Sequence, residues 1–156
     1  MTSIGGNSFR DNQLTSVTIP NSVTSIGEYA FSENELTIVT IPNSLKTIKD
    51  YTFGSNKLTS LVLPNSIDTI AYYAFGDNEL TTVEIPNSVT YLGMYAFGGN
   101  QLTSVILPDS LTYIGPGAFT ENNLTSVTIP NSVTYISRSA FSENVLSEFK
   151  LPNNYE

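Results

Sequence analysis

Cysteine, histidine and tryptophan are absent from all 156 residues. Without them the chain can form no disulfide, thiolate nucleophile, imidazole-based triad or His/Cys metal site. Basic residues are scarce as well, six against 14 acidic ones, and the net charge of -8 repels phosphate backbones and anionic lipid headgroups. Nucleic acid is therefore not an expected partner, nor is a membrane surface. No apolar run reaches the roughly 18 residues of a membrane span, so membrane insertion is not expected either. The start "MTSIGGNSFR" has neither the basic region nor the apolar region of a secretory leader. Any export signal is expected outside this sequence.

What the sequence has instead is repetition. Leu14, Leu36, Leu58, Leu80, Leu102 and Leu124 recur at a spacing of 22 without one insertion. They open full units 14–35, 36–57, 58–79, 80–101, 102–123 and 124–145, flanked by partial units 1–13 and 146–156. The expectation is a single repeat domain over 1–156 with no linker.

Within each unit Leu-x-x-Val-x-Ile alternates apolar and polar residues, the mark of a strand with one buried face. Proline follows directly (Pro20, Pro42, Pro64, Pro86, Pro108, Pro130, Pro152) and ends the strand, because it cannot donate to a ladder. An Asn-Ser turn pair comes next, then Val-x-x-Ile, whose second apolar residue fits a short second strand on the opposite wall. Segments such as "GEYAF" are too short for an isolated helix and read as turns packed by Ala30 and Phe31. Stacked in register, the main strands predict a parallel sheet spaced by roughly 4.8 Å, and about seven coils a rod on the order of 30 Å long.

Asn12, Asn34, Asn56, Asn78, Asn100, Asn122 and Asn144 stand two residues before the leucine of each unit. A side chain that both donates and accepts, repeated once per coil, can satisfy backbone groups that a non-helical return would otherwise bury unpaired. These positions are read as a buried structural ladder.

Asn-x-Leu-x-x-Val/Leu-x-Ile/Leu is the leucine-rich-repeat pattern, whose period runs from about 20 to 29 residues. The variant here has Ile-Pro closing the strand, Asn-Ser-Val/Leu/Ile after it and Ile-Gly-x-x-Ala-Phe on the return. It resembles the BspA-like leucine-rich repeats over essentially the whole chain, and Phe9, Phe31, Phe53, Phe75, Phe97, Phe119 and Phe141 fit that pattern. Family units usually carry cysteine or a small residue where this chain has asparagine. The resemblance implies a right-handed leucine-rich-repeat solenoid with a parallel β-sheet on one wall, short second strands and turns on the other, and little helix. It also implies a cell-surface or extracellular protein mediating adhesion to host matrix or to other cells, with a matrix protein, a cell-surface protein or a glycan as partner. No enzyme activity, cofactor, catalytic residue or metal site is expected.

In a solenoid the outward positions carry any specificity. On the main strand these are Ile38 and Thr40, Ser60 and Val62, Thr82 and Glu84, and Ser104 and Ile106, with Ser/Thr pairs at either side. Short hydroxyls and β-branched side chains form a flat face with little entropy to lose on contact, although Thr, Ile and Val also simply favour strands. Tyr91, Tyr113 and Tyr135 form a column pointing outward from the second wall, a candidate contact surface or a stabilising ladder. Tyr29, Tyr51, Tyr73 and Tyr95 form another column on the return. Acidic residues near the asparagines (Asp11, Glu33, Asp77, Glu121, Glu143) read as a solvated edge, because calcium needs about six to eight converging oxygens. The alternative to a binding module is a structural spacer or a rod that self-associates end to end, since open solenoid ends expose strand edges.

Overall fold

The computed structural model describes residues 1–153, so the last three residues of the partial unit 146–156 lie outside it. Strands lie on two walls. The first wall carries three-residue strands β2 (Ser16–Thr18), β4 (Ile38–Thr40), β7 (Thr82–Glu84), β9 (Ser104–Ile106), β11 (Ser126–Thr128) and β13 (Glu148–Lys150). The second carries two-residue strands β1 (Ser3–Ile4), β3 (Ser25–Ile26), β5 (Thr47–Ile48), β6 (Thr69–Ile70), β8 (Tyr91–Leu92), β10 (Tyr113–Ile114) and β12 (Tyr135–Ile136). Among the described residues there is no helix. All pairings are parallel and offset by one unit, as in Val17↔Val39 and Ile48↔Ile70.

The walls share the sheet differently from the expectation. The shorter strands make the longest sheet, five strands in the order β12-β10-β8-β6-β5, while the longer strands pair only as β2/β4, β7/β9 and β11/β13. In the third coil Ser60–Val62 forms no strand, yet Ser60 and Val62 remain exposed and Leu61 buried. Leu61 stands where Val17, Val39, Val83, Val105 and Val127 stand in the neighbouring coils. Leucine, branched at Cγ, lacks the β-branch that suits a pleated surface. Nothing in the side chains accounts for the break between β9 and β11.

Each corner is a turn in which the proline carbonyl accepts from the amide three residues on, as in Val89 N–H to Pro86 at 3.0 Å and Leu111 N–H to Pro108 at 3.0 Å. The return then runs without regular structure and bonds coil to coil: Phe31 N–H donates to Thr52 C=O at 3.0 Å and Phe53 N–H to Ala74 C=O at 3.0 Å. Seven of the eight phenylalanines stack in one column, from Phe9–Phe31 at 5.2 Å to Phe119–Phe141 at 5.3 Å with nearly parallel rings. The five central rings are fully buried beside the leucine and isoleucine columns.

The asparagines close the return. Asn78 Oδ1 accepts from the Leu58 amide of the preceding coil at 3.0 Å, and its Nδ2 donates to the Phe53 carbonyl of that coil at 3.1 Å and to its own Phe75 carbonyl at 3.2 Å. The same set recurs at Asn34, Asn56, Asn100, Asn122 and Asn144. Asn12, in the first coil, is exposed, and its side chain bonds only within its own turn, to the Phe9 and Arg10 carbonyls. Asn78→Ala strands the buried Leu58 amide and should cost about 2 kcal/mol or more, whereas Asn12→Ala should cost less than about 0.5 kcal/mol. Urea denaturation of the two variants checks the contrast, and equal losses would refute the ladder's role.

Candidate interaction faces

Main-strand alternation turns every second side chain outward, and three of those are large and apolar: Ile38 is 55% exposed, Val62 82% and Ile106 69%. Thr40, Ser60, Thr82, Glu84 and Ser104 are exposed on the same wall. A shallow groove of about 580 Å³ runs over Val62, Glu84 and Ile106 toward Asn65, Asn87 and Asp109 at the corner. A second, of about 330 Å³, joins Ile38, Thr40, Ser60 and Val62. Val62 borders both. All eight main-strand candidates therefore lie on one wall, although Thr82 and Ser104 border neither groove.

Tyr91, Tyr113 and Tyr135 lie elsewhere, in register on β8, β10 and β12 of the opposite wall. Tyr91 and Tyr113 stack at 4.8 Å and 3°, and Tyr113 and Tyr135 at 5.5 Å and 11°. Their faces cover one another, so edges and hydroxyls meet solvent. Burial, with Tyr113 and Asp50 nearby, pushes the Tyr91 hydroxyl pKa upward. The structure thus separates the candidates into two faces.

The return holds features that the sequence pattern did not announce. Tyr29, Tyr51, Tyr73 and Tyr95 all have positive φ, 53 to 59°, a conformation costing an L-residue roughly 1–2 kcal/mol. Asp11, Glu33, Ser55, Asp77, Glu121 and Glu143 share it one turn later. Stacking offsets part of that cost: the rings pack at 4.6 Å for Tyr29–Tyr51 and 4.4 Å for Tyr51–Tyr73. The column then opens, with Tyr73 and Tyr95 at 6.4 Å and tilted by 56°. At the other end Arg10 lies 5.0 Å over the Tyr29 ring while its Nε donates to Glu33 at 3.0 Å. Arg10 and Glu33 are 23 positions apart, one coil plus one residue, and that offset is the signal that would have found the pair.

Tyr51 donates to Tyr72 at 3.2 Å; this bond and burial raise its hydroxyl from 10.0 to about 12. Tyr73 is raised as well, by burial first and then by the nearby Asp77 carboxylate. Among the described residues no three acidic groups converge to hold a metal, and no helix is long and apolar enough to cross a membrane.

The family model of the BspA type leucine rich repeat region matches six copies over residues 2–79 and 68–156. The chain belongs to this BspA-type leucine-rich-repeat family. A leucine-rich repeat protein from Bacteroides ovatus superposes with a TM-score of 0.82 at 30% identity, covering 97% of this chain and 41% of that one. A leucine rich cell surface protein from Faecalibacterium prausnitzii does so with 0.81 at 34% identity, covering 98% and 43%. YopM from Yersinia enterocolitica, at 23% identity and 0.65 over 94% and 35%, shares the fold. No curated protein matches the sequence. The chain thus spans less than half the length of the solved proteins it resembles. BspA-type membership is consistent with a protein-interaction module, and such solenoids are typically non-catalytic.

Because the folded state raises the Tyr51 hydroxyl above its usual 10.0, its stabilisation is complete below that pH and is lost as pH climbs through about 12. Tyr73 shifts in the same direction. The thermal midpoint should therefore fall across this alkaline window, and fall less steeply in a Tyr51→Phe, Tyr73→Phe double variant. Circular dichroism melts at stepped pH check this, and identical slopes would contradict it.

Proposed function

We propose that the chain is a non-enzymatic binding module of a cell-surface or secreted protein, and that it grips a partner protein through the main-strand wall. The observation that carries this is the exposed row Ile38, Val62 and Ile106 alongside two shallow grooves. Apolar side chains on regular backbone, framed by the small polar residues Thr40, Ser60, Thr82 and Ser104, offer contact area at little entropic cost. Glu84 adds a fixed charge that orients the partner. The surface location is supported by the likeness to the Faecalibacterium prausnitzii leucine rich cell surface protein. An extracellular matrix or cell-surface protein fits a flat, weakly charged face on a molecule whose net charge repels nucleic acid. The tyrosine row on the opposite wall, with its ring faces already stacked, serves as a sheet-stabilising ladder.

The test is binding of the purified monomer to immobilised matrix proteins, cell-surface proteins and glycans. Saturable binding is expected, weakened at least about tenfold in the Ile38→Lys, Val62→Lys, Ile106→Lys variant and retained in the Tyr91→Ser, Tyr113→Ser, Tyr135→Ser variant. Absence of binding across the panel by folded protein would overturn the proposal in favour of a structural spacer.

A further inference from the structure

The return wall carries a hollow of about 260 Å³ bordered by Tyr72, Tyr95, Asp77, Gly99 and Glu121. The geometry points to a recognition site there for an arginine side chain of a partner protein, on a surface distinct from the main-strand wall.

The chain itself supplies the precedent. In the first two coils the Arg10 guanidinium lies over Tyr29 and bonds to Glu33. Advanced by whole units, the Tyr29 column becomes Tyr73 and Tyr95, and the Glu33 column becomes Asp77, Gly99 and Glu121. The hollow is therefore built from the residue types that already hold a guanidinium elsewhere in the same fold. Its third column, which begins with Arg10, continues as Ser32, Gly54, Gly76, Gly98 and Thr120. At the hollow that column provides no cation.

Two glycines shape the space. Gly99, at φ 65°, occupies the middle place of the acidic column, and the Asp77 carboxylate leans over it, because a Cβ there would collide with Asp77 Oδ1. The Asp77 carboxylate therefore stands about one coil from the Glu121 position, roughly 5 Å at the usual strand spacing, a gap that a planar guanidinium with five donors can bridge and a point-like ammonium bridges less well. Gly117 stands where the next tyrosine of the column would fall. The Tyr95 ring lies against it, since a Cβ there would sit 2.8 Å from Tyr95 Cε1. Thus placed, Tyr95 is 37% exposed and tilted away from Tyr73 where the stack opens. An aromatic wall and two carboxylates around one hollow attract a cation by its quadrupole and by charge together. The net charge of -8 steers basic partners toward the molecule.

Titration of the ¹⁵N-labelled chain with the blocked tripeptide Gly-Arg-Gly, and with its lysine and citrulline counterparts, tests the site by NMR. Shifts are expected to be localised at Gly98, Gly99 and Tyr95, strongest with arginine and absent with citrulline. Affinity should drop about fivefold in Glu121→Gln and about tenfold in Tyr95→Leu. Glu148→Gln, which removes the same charge from the other wall, should leave it unchanged. Shifts spread over all acidic residues, equal responses to arginine and lysine, or equal losses in Glu121→Gln and Glu148→Gln would each overturn the assignment. Thermal melts confirm that the variants fold.

Discussion

One amide side chain per coil holds neighbouring coils in register, and the remaining geometry depends on it. A return segment that is neither helix nor strand exposes backbone donors and acceptors that its own hydrogen bonds cannot all satisfy. The asparagine reaches up to the leucine amide and the phenylalanine carbonyl of the coil before it while closing its own turn, as Asn100 does with Leu80, Phe75 and Phe97. These bonds run over fixed separations of 20 and 25 residues. An inserted residue would move the asparagine away from all of them, which explains why the 22-residue period tolerates no insertion here.

Fixed period has a second consequence. Every side chain meets its own counterpart one coil away, so each column must be self-compatible, as in the in-register ladders of cross-β assemblies. Phenylalanine, asparagine, isoleucine and tyrosine satisfy that condition by stacking or by hydrogen bonding. Charged residues satisfy it poorly, and the acidic column is broken at Ser55 and Gly99 and pushed outward on a left-handed backbone. The stack of Tyr29, Tyr51 and Tyr73 keeps its rings in contact while its residues remain in an unfavourable conformation.

Much of this was legible beforehand because period and alternation act on every coil at once. The main-strand positions, the proline stops, the outward row from Ile38 to Ile106 and the stacked coils all follow from those two signals. Less legible were features set by hydrogen-bond register between coils. That Ser60–Val62 would leave the ladder and that the two-residue strands would form the longest sheet depends on hydrogen-bond geometry between coils, which period and alternation do not encode. Positive φ at Tyr29 or Glu33 was equally hidden, because glycine is the residue that announces it and only Gly99 and Gly117 do so here. The Arg10–Glu33 pair escaped because it joins different columns, and a column-by-column reading compares like with like.

Specificity in such a molecule must reside where the columns change identity. A uniform column offers the same chemistry at every coil, so a partner could slide along it by one unit at little cost. Val62 and Glu84 differ from the hydroxyls around them, and the substitution of Gly99 and Gly117 into acidic and tyrosine columns opens a hollow at one height of the return wall. Each such departure marks a single coil and thereby fixes the register of anything bound to it. The asparagine ladder makes this arrangement workable: because it secures the fold through the buried return, outward columns are released to vary one coil at a time without loosening the stack.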